Sequence, residues 1–227
     1  MKVSSEFSKY ASHYGSHNII QSRVAEHLLQ KLSYKPQNIL DLGCGSGALC
    51  KIVSWEYQQF TAVDFALGML ELHPKSEKIN SMLGDFNDEK LFTKLASSRY
   101  DYIFSSSALQ WAKDLDMVFK NLQLLNAPVA FAIFTANTFK TLNERASLEP
   151  LLRTADEIYA LQKKYFNAEF EIVNYKLEFA STREMFQYIK QSGVSGSRRV
   201  LNYKQTKKLM NEYPLNYLEF EVVFITS

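Results

Sequence analysis

The sequence predicts an α/β fold, a mostly parallel sheet with helices on both faces, and three observations predict it. Short apolar runs alternate with helical patterns from residue 38 to residue 135. The first run, "NILDL", passes straight into the glycine-rich turn "GCGSG" and then into a helical pattern. The last two apolar runs, "FEIVNYKLEFA" and "YLEFEVVFITS", read as strands that pair antiparallel at one edge.

Each element has its own justification. Ile19, Ile20, Val24, Leu28, Leu29 and Leu32 recur at helical spacing, so an amphipathic helix leads in over residues 18–33. "NILDL" is a strand and "GALCKIVSWEY" a helix; "FTAVDF" is a strand, "LGMLEL" a short helix and "KINSMLGD" a strand. "LFTKLA" is helical, "YDYIFSSS" a strand, "LDMVFKNLQLL" a helix and "PVAFAIFT" a strand. Strands that alternate with helices need crossover connections, which is why the sheet is parallel. Two helical segments, about 138–148 and 153–165, precede the penultimate strand. Residues 181–212 are helical and polar, broken by "SGVSGS", and read as a lid-like cap inserted between the last two strands. No repeat or linker interrupts the chain, so residues 1–227 form one domain, with 1–35 as an N-terminal cap segment.

Composition narrows the function. The 227 residues are 46% hydrophobic and 22% charged, which describes a globular chain with a substantial core. A net charge of +2, with no basic run longer than two residues, gives no nucleic-acid footprint. "MKVSSEFSKYASHYGSHN" lacks the apolar segment of a signal peptide, and "APVAFAIF" is too short to cross a bilayer. Cys44 and Cys50 make neither a disulfide framework nor a metal spacing, and His13, His17, His27 and His73 show no ligand pattern. The expectation is a cytoplasmic, soluble, metal-free protein, monomeric, without a nucleic-acid or membrane partner.

The glycine turn carries the chemistry. A strand, "DLGCGSG" and a helix make a ligand-binding bend, because glycine permits positive φ and close approach to the backbone. Such bends lie at the carboxyl ends of strands, where open α/β sheets bind ligands. The spacing of Gly43, Gly45 and Gly47 is G-x-G-x-G, not the G-x-G-x-x-G of dinucleotide folds, and favours S-adenosylmethionine over NAD. Asp64 ends the second strand, placed to accept from a ribose diol; Asp85, after the third, could accept from the adenine amine, with Phe86 near the ring. A helix cap or turn is the plainer role for either acid.

On these residues the sequence resembles the class I S-adenosylmethionine-dependent methyltransferases. "LDLGCGSG", "TAVDFALGML", "MLGDFND" and "YDYIFSSSALQW" are similar to that family's successive motifs over roughly residues 38–135. Within it the chain looks like the malonyl-[acyl-carrier protein] O-methyltransferases of biotin synthesis. "FSKYASHYGSHNIIQSRVAEHLL", "SSSALQW" and "PLNYLEFEVVFITS" carry that narrower likeness, whereas "LNAPVAF" and "HYGS" depart from it. The resemblance implies a Rossmann-like three-layer sandwich with a mostly parallel seven-stranded sheet and an antiparallel edge strand.

It also implies a site. The cofactor set is Gln21, Asp41, Gly43, Cys44, Gly45, Gly47, Asp64, Phe65, Met69, Asp85, Phe86 and Ser105. Tyr14 would close the methyl-transfer chamber and donate to the acceptor, Gln110 and Trp111 would stand where the acceptor enters, and Arg145 or Arg153 would pair with the acceptor carboxylate. Arg198 and Arg199, with Lys204, Lys207 and Lys208, would steer an acidic carrier protein bearing the malonyl thioester. A carboxylate is ionised at neutral pH, so no general base is expected. The rivals are a methyltransferase of the same fold with another small-molecule acceptor, a base methyltransferase and a non-catalytic binding module. "SSSALQW" is not the Asn/Asp-Pro-Pro-Tyr/Phe turn that base methylation needs.

Overall fold

A computed structural model describes residues 19–191 and 203–227. Seven strands form one sheet: β1 (Asn38–Leu42), β2 (Gln59–Asp64), β3 (Ile79–Leu83), β4 (Tyr102–Ser106), β5 (Val129–Phe134), β6 (Glu169–Glu178) and β7 (Tyr217–Thr226). Their order is β3-β2-β1-β4-β5-β7-β6. β1 to β5 are parallel, and β7 runs antiparallel between β5 and β6. The expected antiparallel pairing of the last two strands is present; the reversed strand itself lies one place in from the edge, and β6 is the edge. β5, "VAFAIF", is buried along its whole length, as a parallel strand covered on both faces must be.

The helices are α1 (Ile19–Gln30), α2 (Ala48–Ile52), α3 (Leu67–Leu72), α4 (Glu89–Leu95), α5 (Leu115–Gln123), α6 (Lys140–Ala146), α7 (Ala155–Tyr165), α8 (Thr182–Gln191) and α9 (Tyr203–Glu212). α1 buries Ile20, Val24, Ala25 and Leu28, and lies against β4, β5 and α2. α5 is capped by Asp114, whose carboxylate accepts from Met117 N at 3.0 Å, and α7 by a Thr154–Glu157 capping box. α2 is shorter than the helix expected over residues 47–57. Val53 turns extended, and Trp55 leaves the helical path to donate its indole N–H to Pro36 O at 2.9 Å.

Two apolar layers result. Ile20, Ile39, Phe60, Phe104, Phe134 and Phe220 pack on the α1 face, and Leu40, Leu42, Val63, Ile103, Phe119 and Phe131 on the other. Met185 and Leu209 of the 181–212 insertion, with Tyr213 just after it, join the α1 layer, beside Phe139 and Leu218. Strand direction and order then place the site. The chain winds outward from β1 toward β3 and restarts at β4, so a crevice opens at the carboxyl ends of β1 and β4.

Asp101 fixes the other end of that pair of strands. Its carboxylate accepts from the backbone N–H groups of Gln37 at 2.9 Å and Asn38 at 2.8 Å, and its carbonyl accepts from Tyr34 at 2.7 Å. Asp101→Ala leaves two strand-end donors without partners and is expected to lower unfolding stability by about 1–3 kcal/mol. Chemical denaturation measures the loss; affinity for cofactor at the opposite edge should be unchanged.

Candidate active site at the β1–β4 switch

The bend after β1 has all three glycines at positive φ: 77° at Gly43, 54° at Gly45 and 84° at Gly47. Their reasons differ. A Cβ on Gly43 would collide with Ala108, and one on Gly47 would sit 2.5 Å from Pro74 Cδ and 2.9 Å from His73 Cδ2. A Cβ on Gly45 would meet nothing within 4 Å. Two glycines therefore clear room for protein, and Gly45 is the one whose backbone faces open space. This sharpens the expectation that the whole loop is cleared for a ligand.

Asp64 holds the bend in place. One carboxylate oxygen accepts from Gly45 N at 2.9 Å and the other from Ala66 N at 2.8 Å. The bend is also pinned to β2 by Gly43 N and Cys44 N, which donate to Val63 O at 2.7 and 3.0 Å. Phe65 N bonds the same carboxylate, which with three N–H partners still has acceptor capacity for a ligand hydroxyl. Burial pushes its carboxyl upward, against the pull of the N–H bonds.

Asp41 is the exceptional group. It is 1% exposed, and neither carboxylate oxygen has a hydrogen-bond partner. Burial, with the nearby Asp64 charge second, pushes its carboxyl up to about 8. A carboxylate left without a partner inside a protein is costly, and a cation or a set of N–H donors completes it. Two further acceptors are also unanswered. The Oε1 atoms of Gln21, on α1, and Gln110, on the 3-10 turn Leu109–Trp111, are buried without partners.

The remaining expected residues fall into distinct groups. Cys44 and Met69 are buried, Phe86 lies beside Gly43, and burial pushes the Cys44 thiol up. Phe65 follows Asp64 and is half-buried. Trp111 packs partly against the second apolar layer, and Arg145 is exposed on α6. Three residues have structural occupations, and of these only the Asp85 turn was weighed from the sequence. Ser105 is fully buried and donates to Leu42 O at 2.7 Å, tying β4 to β1 rather than facing a ligand. Asp85 is exposed and accepts from Asn87 N at 2.9 Å and Asn87 Nδ2 at 2.8 Å, a local turn. Arg153 donates to Ala112 O at 2.7 Å and Lys113 O at 3.1 Å, bracing the turn after Trp111 instead of awaiting an acceptor. Tyr14, Arg198 and Arg199 lie outside the described residues, as do His13 and His17.

His73 was not expected here. It is 2% exposed beside Gly47, and its Nδ1 lies 3.0 Å from Pro74 O. A carbonyl only accepts, so Nδ1 carries the proton and the buried Nε2 is a bare acceptor without a partner. Burial lowers its pKa. Nothing local in "LELHPK" signals this, because the contact reaches back to residue 47. Among the described residues no group of three or more His, Cys, Asp or Glu could hold a metal ion. No helix among them is long and apolar enough to cross a membrane.

Residues 40–133, which span the bend and β1 to β5, match the family described as a methyltransferase domain. That match, with the fold, supports a class I S-adenosylmethionine-dependent methyltransferase with S-adenosylmethionine as its cofactor. Among its relatives is a malonyl-[acyl-carrier protein] O-methyltransferase of Acetivibrio thermocellus, 27% identical over 97% of this chain and 91% of that one. Two others bearing that name, from Methylovorus and Legionella pneumophila, align over 52% of their own length. The YcgJ protein of Bacillus subtilis shares the fold with a TM-score of 0.60 at 11% identity, covering 89% of this chain and 97% of that one. Haemonchus contortus phosphoethanolamine N-methyltransferase 2, solved with S-adenosylmethionine, gives a TM-score of 0.54 at 16% identity, covering 89% of this chain and 51% of that one.

Two predictions separate packing from binding. Gly43→Ala is expected to cost about 3 kcal/mol or more, from a wall contact added to a left-handed backbone; Gly45→Ala should cost only about 1–2 kcal/mol. Gly45→Ala should nevertheless weaken cofactor binding, so thermal unfolding and titration calorimetry on the pair should rank the two variants in opposite order. Asp41 yields the second. Its folded carboxyl lies above the unfolded value, so the free chain loses stability as pH rises from about 4 to about 8. Asp41→Asn should therefore raise the melting temperature of the ligand-free chain at pH 8 while weakening cofactor binding at least tenfold.

Proposed function

We propose that this chain transfers the methyl group of S-adenosylmethionine to the free carboxylate of a malonyl thioester carried on an acyl-carrier protein. The supporting observation is the relative of that name aligned along 97% of the chain, cap segments included.

The residues fit the methyl donor. The unanswered Asp41 carboxylate offers a seat for its ammonium group, with Gln21 Oε1 as a further acceptor. Gly45 presents bare backbone to it, and the Asp64 carboxylate, already held by three N–H groups, keeps acceptor capacity for a ribose hydroxyl. Phe86 and Met69 supply apolar wall. Bound there, the donor supplies an electrophilic methyl group on a sulfonium. What remains for the protein is to align an oxygen with that carbon and exclude water, an effect that contributes about 7–11 kcal/mol in well-oriented systems.

A carboxylate acceptor needs no base, and the described imidazoles agree with that demand. His27 bonds Tyr175 at 2.9 Å on the β6–β7 side, and His73 stands behind the glycine bend. The carrier would be met by Lys204, Lys207 and Lys208, exposed on α9, together with Arg198 and Arg199. Tyr14 would close the chamber.

The test is incubation with methyl-labelled cofactor and malonyl-carrier protein, beside malonyl-CoA and free malonate. Label should enter the carrier-bound malonyl group fastest, as an alkali-labile ester, with an advantage over malonyl-CoA that shrinks as salt rises. Equal labelling of all three would remove the carrier from the proposal, and no labelling would remove the acceptor.

A further inference from the structure

The turn after β4 contains a residue the function has not yet used. Ser107 adopts φ 61°, the left-handed region, although it is not glycine. Its Oγ is shut off from solvent and has no hydrogen-bond partner. Both features are unfavourable. A left-handed backbone is unfavourable for an L-residue, and an unanswered buried hydroxyl adds to that cost. Glycine would avoid both.

The conformation is held from three sides. Ser107 N donates to Ala132 O at 2.9 Å, Gln110 Nε2 donates to Ser107 O at 2.6 Å, and the adjoining Ala108 fills the space over Gly43. Ser107 thus stands just past the carboxyl end of β4, between β5 and the glycine bend. Backbone strain stored where the surroundings enforce it is a mark of a functional position.

Its chemistry also differs from its neighbours. The unanswered atoms of Asp41, Gln21 and Gln110 are acceptors. The Gln110 amide cannot turn round, because its NH2 faces a carbonyl. Among these atoms only the Ser107 hydroxyl can donate, and a buried carboxylate requires a donor.

We propose that Ser107 is an acceptor-binding residue, its Oγ–H donating to the carboxylate oxygen that does not attack. This rests on the carboxylate reading of the acceptor. Holding the non-reacting oxygen leaves the lone pair of the other free to meet the methyl carbon, and it offsets part of the desolvation of the anion. In the transfer the attacking oxygen forms the new C–O bond as the S–CH3 bond breaks. The bonding pair stays on sulfur, and no proton moves.

Two substitutions test it. Ser107→Gly keeps the left-handed backbone and removes the hydroxyl, whereas Ser107→Asn tolerates that backbone and restores a donor. With malonyl-carrier protein, Ser107→Gly should lower kcat/KM for the acceptor about tenfold or more, leave the affinity for S-adenosylmethionine within about twofold, and melt no lower than the parent. Ser107→Asn should recover part of the loss. A parallel measurement needs no turnover: malonyl-CoA added to protein saturated with S-adenosylhomocysteine should raise the melting temperature of the parent but not of Ser107→Gly. If both proteins respond alike, or neither responds, the role of Ser107 is overturned. A parent that responds while failing to label malonyl-carrier protein would overturn the carrier assignment and leave Ser107 in place.

Discussion

A carboxylate without a partner, Asp41 at the carboxyl end of β1, is the constraint around which this protein is arranged. The sheet supplies it with apolar neighbours, and the restart of the chain at β4 leaves the crevice above it open. In the ligand-free chain it is unfavourable to ionise, with its carboxyl pushed up to about 8. The fold carries this destabilisation because many buried strand residues elsewhere exceed it. In the proposed reading, a cationic ligand would offset this desolvation on arrival, which would make the group selective for it.

The glycine bend shows how a short sequence motif can serve two ends. Gly43 and Gly47 are demanded by Ala108 and by the His73–Pro74 turn, and they keep the bend tight against β4 and α3. Gly45 alone faces outward. Asp64 joins both functions, since the oxygens that hold Gly45 and Ala66 are the ones a sugar would reach. An acid placed this way couples the shape of the loop to occupancy of the site, because any ligand on Asp64 also bears on Gly45.

The polarity of the crevice is uneven. Among the described residues, Asp41, Gln21 and Gln110 carry buried acceptor oxygens without partners, which in the proposed reading suit a cationic methyl donor. Donors are scarce, and Ser107 is placed at the turn where an anionic acceptor would enter. Arg153, the cation that sequence suggested for the anion, is bound to the carbonyls of Ala112 and Lys113 and steadies the same turn from behind. For the proposed carboxylate acceptor such bracing matters, because methyl transfer to an ionised oxygen depends on alignment and not on proton transfer.

The sequence by itself determined the parallel sheet, the positions of its strands to within a residue or two, the bend and the acid after the second strand. These follow from periodicity and backbone freedom, which are local. Tertiary structure decided the occupations of individual side chains. Ser105 and Leu42 meet across 63 residues, and Arg153 and Ala112 across 41. His73 reaches Gly47, and the strain at Ser107 exists only because β5 and Gln110 enforce it. A hydrogen bond between distant positions leaves no periodic trace in a single chain, so the division between residues that hold the site and residues that face it could be read only after the chain had folded.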